Sequence, residues 1–152
     1  MYRAYYKSVL GWIEVIGEEE GITAVSFVEE PQETILHPIV EQCVAELDEY
    51  FHKKRTSFTV PLCTNGTPFQ QKVWNALCTI SFGETASYAD IAIKIDNEKA
   101  VRAVGGANNK NPISILIPCH RVIGKNGQLV GYGGELWRKE WLLQHEGARS
   151  LM

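Results

Sequence analysis

The sequence predicts an α+β fold in two parts, a small N-terminal α/β domain followed by a mostly helical C-terminal domain. Three runs rich in β-branched and aromatic residues fill the first 30 residues, with breaks at Leu10-Gly11 and Glu20-Gly21. Such spacing is typical of an antiparallel meander. From residue 66 onward the pattern is three helices, a hairpin and a last helix, which is typical of a winged helix-turn-helix domain.

The N-terminal domain, residues 1–65, is predicted to combine the meander with one helix. Apolar residues recur at helical spacing between residues 34 and 54, so one face of that helix should be buried. The turn around Asn65-Gly66 is the best candidate for the domain boundary. The predicted strands are residues 2–9, 12–16, 22–28 and 58–62.

The C-terminal domain, residues 66–152, carries clear helix-start signals. Thr67 followed by Pro68, and Ser87 ahead of an apolar pattern, are each typical of a helix N-cap. The third helix is basic and rich in small residues, and with the second it makes the helix-turn-helix pair. An Asn126-Gly127 turn predicts a hairpin that would serve as the wing. The predicted boundaries are helices from residue 68 to about 82, 88–95, 97–109 and 135–145, and hairpin strands at 121–123 and 129–130.

Composition excludes several classes of protein. The 152 residues are 45% hydrophobic and 22% charged, as in soluble globular proteins. No apolar run approaches the ~20 residues that span a bilayer, so we expect a cytoplasmic location and no membrane partner. The four cysteines and four histidines do not cluster, so we expect no metal site, and free thiols rather than disulfides.

Charge is distributed unevenly along the chain. Residues 1–60 carry a net charge of −6, from 5 basic and 11 acidic residues, and residues 61–152 carry +3, from 10 basic and 7 acidic residues. No acidic residue lies between Lys99 and Gly134, whereas five basic residues do. A basic stretch can be only a solvated face, but its overlap with the segment around Cys119 is an argument for a polyanionic partner.

The most informative motif is at residues 118–122, which read Pro-Cys-His-Arg-Val after the apolar, strand-like run 113–117. A thiolate is the reactive form of cysteine, and neighbouring positive charge lowers a thiol's pKa. Side chains of adjacent strand residues point to opposite faces, so Cys119 and His120 can pair only if the chain turns there or a water lies between them. His120 could accept the thiol proton if a carboxylate held its other nitrogen. Glu146 is the best acid by position, but the sequence alone does not show that it reaches His120.

This motif resembles the active-site motif of the O6-alkylguanine-DNA alkyltransferases, also called methylated-DNA–protein-cysteine methyltransferases. The likeness extends over the C-terminal half of the chain, and the N-terminal half fits that family's ribonuclease H-like domain only in its pattern. The matching segments are residues 69–74, 82–84, 87–88, 102–107, 111–112, 115–122, 131–134 and 140–147.

The resemblance implies DNA repair by direct damage reversal. Cys119 would take an alkyl group from O6 of guanine, with O4 of thymine as a further candidate, in an irreversible single turnover. His120 would act as a base through a water molecule and Glu146 would orient it. Tyr88 would give a proton to the leaving guanine, and Asn111 would brace the active-site turn.

The resemblance also implies how DNA is held. The helix that carries Arg102 would enter the minor groove, with small residues allowing close approach, and Arg102 would fill the stack after the damaged base flips out. The other predicted DNA contacts are Lys99, Ala100, Val101, Ala103, Gly105, Lys110 and Arg121. The predicted base pocket comprises Tyr132, Gly133, Gly134 and Lys139. The expected partner is double-stranded DNA that carries O6-alkylguanine, bound by a monomer without a cofactor.

Three other functions compete with this hypothesis. Alkyltransferase-like members of the family bind lesions without removing them, but they carry tryptophan where this chain has Cys119. A winged-helix regulator with a sensing cysteine would need a dimer interface and base-specific contacts, and the sequence has no obvious segment for either. A cysteine hydrolase would need an oxyanion hole, which nothing in the sequence suggests.

Overall fold

A computed structural model describes residues 1–124, 127–130, 132 and 135–148, and the chain divides into two compact units. The first unit comprises Met1–Asn65 and Pro112–Leu116, and the second comprises Gly66–Asn111 and Ile117–Met152. The predicted domain boundary puts residues 112–116 in the second domain, whereas the structure places them in the first unit. In the described ranges, no helix is both long enough and apolar enough to span a membrane.

The sheet of the first unit is the predicted antiparallel meander. Strands β1 (Tyr2–Ser8), β2 (Gly11–Glu18) and β3 (Gly21–Val28) pair in the order β1-β2-β3, which confirms that prediction. The β1–β2 turn needs glycine at Gly11, because its φ of 113° is strained for any residue with a Cβ.

Helix α1 (Pro38–Phe51) packs its apolar face against β1 and β2. Of the residues that helical spacing predicts on this face, Ile39, Cys43, Leu47 and Tyr50 are buried and Phe51 is half-buried. Val40 is buried as well. The buried carboxylate of Glu46 accepts hydrogen bonds from the backbone N–H of Thr59 at 2.8 Å and of Val60 at 3.2 Å. The predicted strand at 58–62 is wrong, since Leu62 makes only an isolated bridge to Ile22.

Residues 112–116 join the first unit through β3. Val25 donates its N–H to the Pro112 carbonyl at 2.9 Å, and Ser114 donates to the Val25 carbonyl at 3.0 Å. The apolar run 113–117 is not a strand, because the backbone turns after Ile113 and Ile115 has a φ of 72°. Ile113 and Ile115 are nevertheless buried, so this run is core material in a turn.

The second unit contains most of the helices. Thr67 and Ser87 each form a capping box at the start of a helix, which confirms both predicted N-caps. The third predicted helix begins four residues later than expected, after Ala100. The elements are α2 (Pro68–Leu77), β4 (Ala86–Ser87), α3 (Tyr88–Lys94), α4 (Val101–Asn109), a 3-10 helix (Cys119–Arg121), β5 (Val122–Ile123) and α5 (Leu136–His145).

Helices α2, α3 and α4 pack on one another, with α3 and α4 as the helix-turn-helix pair. The Trp74 indole N–H of α2 donates to the Ala107 carbonyl of α4 at 2.9 Å, which fixes these two helices together.

The predicted hairpin is wrong in its pairing. Strand β5 pairs in parallel with β4, in the register Ala86 to Val122, and residues 129–130 form no strand. Just after β5, Gly124 donates its N–H to the Gln128 carbonyl at 2.7 Å. Asn126 of the predicted turn lies outside the described residues.

Candidate active site

The chain turns at Cys119, which answers the question that the sequence left open. Cys119 begins the 3-10 helix directly after Pro118, and its N–H donates to the Ile117 carbonyl at 2.8 Å. Cys119 and His120 therefore do not lie on opposite faces of a strand. The Cys119 side chain is buried, as is that of His120.

A buried ionic network surrounds His120. His120 Nε2 lies 2.8 Å from Glu146 Oε2, and both side chains are fully buried. Arg121 grips the same carboxylate in a fork, with Nε 2.7 Å from Oε1 and Nη2 3.0 Å from Oε2, and its Nη1 donates to the Ile80 carbonyl at 2.7 Å. Glu146 therefore holds both residues that follow Cys119.

Arg121, predicted to contact DNA, lies instead in the interior of the protein. Its side chain is buried, and its fork is occupied by Glu146 and the Ile80 carbonyl. A guanidinium in this position neutralises Glu146 and is not presented to a DNA phosphate.

The network determines the protonation states at the site. Although burial alone would raise the pKa of Glu146, its hydrogen bonds and charge interactions with His120 and Arg121 hold that pKa well below its usual range. Burial lowers the pKa of His120 in spite of the neighbouring carboxylate. His120 is therefore neutral at pH 7, with Nε2–H directed at Glu146.

The other ring nitrogen of His120 is available to accept a proton. Nδ1 is buried and has no hydrogen-bond partner among the described residues. With Nε2 protonated, Nδ1 carries the lone pair, so it is the atom that can act as the base.

The resting thiol is protonated, contrary to the expectation of a lowered pKa. Burial raises the pKa of Cys119, and the opposing effects of the Asn111 amide and the Lys139 charge do not overcome it. Lys139 is itself buried on α5, donates from Nζ to the Val130 carbonyl at 2.6 Å, and has its pKa lowered by burial to about 8. The thiol must therefore lose its proton at the moment of reaction.

Two more predicted site residues lie near the thiol. Asn111 Nδ2 donates to the Ile117 carbonyl at 2.8 Å, which ties the end of α4 to the turn that carries Cys119. Tyr88 is half-buried at the start of α3, and burial together with the nearby Cys119 raises its pKa. The pairing of β4 with β5 brings their two segments together, since Tyr88 follows β4 and Cys119 precedes β5.

Helix α4 presents a surface of small side chains and one long cation. Arg102 is exposed and makes no ion pair or hydrogen bond with the part of the chain that the structure describes. A Cβ built on Gly106 would meet nothing within 4 Å, so this surface is open. Among the other predicted DNA contacts, Lys99, Val101, Ala103 and Lys110 are exposed and Ala100 and Gly105 are half-buried.

The predicted base pocket is described only in part. Tyr132 is half-buried and Lys139 approaches Cys119, whereas Gly133 and Gly134 lie outside the described residues. Within those described ranges, no group of three His, Cys, Asp or Glu side chains could hold a metal ion.

Sequence reasoning missed Asn108. Its side chain is buried on the inner side of α4, three residues before Asn111. That spacing was the only signal available, and asparagine near a helix end is ordinarily interpreted as a capping or turn residue.

Comparison with known proteins covers nearly the whole chain. The family model of the 6-O-methylguanine DNA methyltransferase ribonuclease-like domain matches residues 1–64, and that of the DNA binding domain of the same family matches residues 68–148. The chain belongs to the 6-O-methylguanine DNA methyltransferase family.

Curated members and solved structures of the 6-O-methylguanine DNA methyltransferase family agree with this assignment. The chain is 46% identical to a methylated-DNA–protein-cysteine methyltransferase of Methanosarcina acetivorans, over 97% of this chain and 99% of the relative. It is 44% identical to the constitutive enzyme of that name from Bacillus subtilis, over 88% and 87% of the two chains. The crystal structure of Mycobacterium tuberculosis OGT in complex with DNA superposes with a TM-score of 0.89 at 42% identity, covering 99% of this chain and 95% of that one. The resemblance and the predicted fold class are thus confirmed.

Proposed function

We propose that this protein repairs double-stranded DNA by moving a methyl or larger alkyl group from O6 of guanine to Sγ of Cys119, once per molecule. Family membership and the DNA complex of the mycobacterial relative support DNA repair by alkyl transfer. The observation that carries the proposal is the buried thiol of Cys119 next to a neutral His120 whose Nε2 is held by Glu146 at 2.8 Å.

The proton of the thiol goes to His120. A water molecule between Sγ and Nδ1 passes the proton to Nδ1, and the imidazolium that forms is stabilised by Glu146. Since burial raises the pKa of the thiol, little thiolate exists before the substrate arrives. The base is therefore needed during transfer itself.

The thiolate then attacks the alkyl carbon. The S–C bond forms while the C–O6 bond breaks, and the bonding electron pair stays on the guanine. Tyr88 gives a proton to a ring nitrogen of the departing guanine. Tyr88 then regains a proton from His120 through solvent, so the proton lost by the thiol is balanced by the one that guanine gains. The thioether that remains on Cys119 is stable, which makes the transfer irreversible.

The target atom lies on the base-pairing edge of guanine, so the base must leave the stack. Extrusion costs a few kcal/mol, and an inserted side chain offsets part of the lost stacking. We assign this insertion to Arg102, because it is an exposed cation without a protein partner among the described residues. The small residues around it suit the ~6 Å minor groove.

The decisive experiment follows the alkyl group. The protein is incubated with a duplex that carries labelled O6-methylguanine, and the label on the protein is counted per chain. We expect one label per chain for the wild type and for the exposed-cysteine control Cys63→Ala, and none for Cys119→Ala. Binding without transfer by the wild type would indicate a lesion sensor instead, and more than one turnover per chain would refute the irreversible mechanism.

The same assay tests substrate range and the role of Arg102. We expect Arg102→Ala to transfer the group about 10- to 100-fold more slowly, because each 1.4 kcal/mol of lost stabilisation is a factor of ten. An unchanged rate would remove Arg102 from the flipping step. A duplex with O4-methylthymine, run in parallel, tests our proposal that this base is also a substrate. Equilibrium sedimentation with DNA tests our proposal that one monomer acts per lesion.

A further inference from the structure

The side chain of Asn108 is buried and makes no full hydrogen bond with any described residue. It is 1% exposed, and neither Nδ2 nor Oδ1 has a partner within bonding distance among the described residues. Buried polar groups are nearly always paired in native proteins, so an unpaired amide calls for an explanation. An apolar side chain of the same shape would fill this position at no such cost.

Asn108 lies on a stripe of α4 that runs along Tyr88 towards the active-site turn. Gly105 and Asn108 are three residues apart on α4 and so share one helix face, and Asn111 follows shortly after the helix ends at Asn109. A Cβ on Gly105 would lie 3.9 Å from Cε1 of Tyr88, so the tyrosine ring lies against the start of this stripe. Asn111 at its other end binds the Ile117 carbonyl at 2.8 Å.

The amide of Asn108 also influences the Tyr88 hydroxyl. Burial and the neighbouring Cys119 raise the pKa of Tyr88, whereas the Asn108 side chain lowers it. An amide that favours the ionised phenol must present its N–H side to the phenol oxygen. The Asn108 amide is thus close enough to the phenol to interact with it, although neither amide atom meets the distance and angle of a full hydrogen bond with the described residues.

We propose that Asn108 is a positioning residue for Tyr88, whose oxygen accepts a hydrogen bond from Asn108 Nδ2–H during alkyl transfer. The inference rests on the proposed function. When the Tyr88 O–H bond breaks and the proton moves to a ring nitrogen of the departing guanine, negative charge is left on the phenol oxygen. That oxygen is half-buried, so a fixed N–H donor stabilises it at the moment when the charge forms. The unsatisfied amide of Asn108 in the resting protein is then a preorganised donor for the transition state.

The test compares stability with rate in the isosteric variant Asn108→Leu. We expect its free energy of unfolding to equal or exceed that of the wild type, because two buried unpaired polar atoms are removed. We expect its single-turnover transfer rate to fall about 10- to 100-fold, as for the loss of a hydrogen bond to a charged group. Asn108→Asp, which lacks the N–H donor and adds like charge, should be at least as slow. The exposed control Asn75→Leu should keep the wild-type rate.

A double-mutant cycle with Tyr88→Phe separates positioning from other roles. If Asn108 acts through Tyr88, Asn108→Leu will have no further effect on the rate in the Tyr88→Phe background. The same fold loss in both backgrounds would overturn the proposal, since Asn108 would then act on the base or on the fold directly. A loss of stability in Asn108→Leu would likewise overturn it, since the amide would be structural. Failure of the wild type to transfer the group would refute the proposed function, and the stability comparison would still report on the amide.

Discussion

Replacing Glu146 with Gln would test the buried network at the centre of the site. The substitution keeps the shape of the side chain and removes one negative charge. Glu146 accepts two hydrogen bonds from Arg121, at 2.7 and 3.0 Å, and one from His120 at 2.8 Å. Glutamine has one oxygen, so its NH2 group must face at least one of these donors.

The expected loss of stability follows from burial. Arg121 is only 7% exposed, so its guanidinium would lose its counter-charge in a site with little solvent. Breaking one partner out of a buried pair costs about 3–5 kcal/mol. For a chain of this size that lowers Tm by about 6–20 °C. The transfer rate should fall about 100-fold, because His120 loses the carboxylate that orients and stabilises it.

The assay is urea unfolding and single-turnover transfer, with the exposed Glu84→Gln as the matched control. The decrease in the free energy of unfolding at low pH gives a second readout. Since the pKa of Glu146 is lowered in the folded protein, its contribution to stability is complete above the ordinary glutamate pKa of about 4.3 and is lost as the pH falls below it. Glu146→Gln should lack the decrease in stability that protonation of Glu146 causes below this pH, and Glu84→Gln should keep it.

Two results would refute the reasoning. A loss below about 1 kcal/mol would mean that solvent screens the network as it does a surface pair. A wild-type transfer rate would mean that His120 does not depend on Glu146 to act as the base.

Three further predictions address single buried groups. Lys139→Met should slow the reaction of Cys119 with iodoacetamide at pH 8, since a cation that lowers the thiol pKa is removed. Between pH 8 and about 10.4 the unfolded chain binds the Lys139 proton more tightly, so the stability of the wild type relative to Lys139→Met should rise with pH, and a constant difference between the two would contradict this. Wild-type stability should also fall as the pH drops below about 6.5, since His120 takes up a proton more readily when unfolded, and urea unfolding of His120→Gln should show a smaller fall. Glu46→Gln should lower the free energy of unfolding by about 1.5–3 kcal/mol, because it weakens charge-assisted hydrogen bonds to the backbone of residues 59 and 60. Glu41→Gln, at an exposed position of the same helix, should lower it by less than about 0.5 kcal/mol. Equal losses in the two variants would show that burial is not the cause.

Local signals in the sequence were the most reliable predictors of the fold. The capping boxes at Thr67 and Ser87 involve atoms only three residues apart, so the sequence contains everything that forms them. Residues 113–117 show the opposite case. Their apolar run indicated burial correctly but could not distinguish a strand from a turn, and the positive φ of Ile115 depends on packing that a local pattern does not contain.

The site was hardest to predict where a charged side chain is neutralised by a residue far away in the sequence. Arg121 appeared to belong to a basic surface because its partners, Glu146 and the Ile80 carbonyl, are 25 and 41 residues away in the chain. For the same reason the raised pKa of Cys119 could not be predicted from its neighbours in the sequence. The adjacent histidine and arginine suggested an acidic thiol, whereas the structure buries the thiol and directs the charge of Arg121 to Glu146.

The assignment of residues 112–116 to the first unit has a consequence for how the chain can be divided. These five residues complete the surroundings of β3, yet both of their flanks belong to the second unit. No single cut therefore separates two independent pieces. A fragment that begins at Gly66 would retain Ile113 and Ile115 without the strand that buries them, and such apolar residues favour aggregation when exposed. During synthesis, the bonds of Val25 to this segment can form only after about 85 further residues have been made, so the surroundings of β3 are completed late.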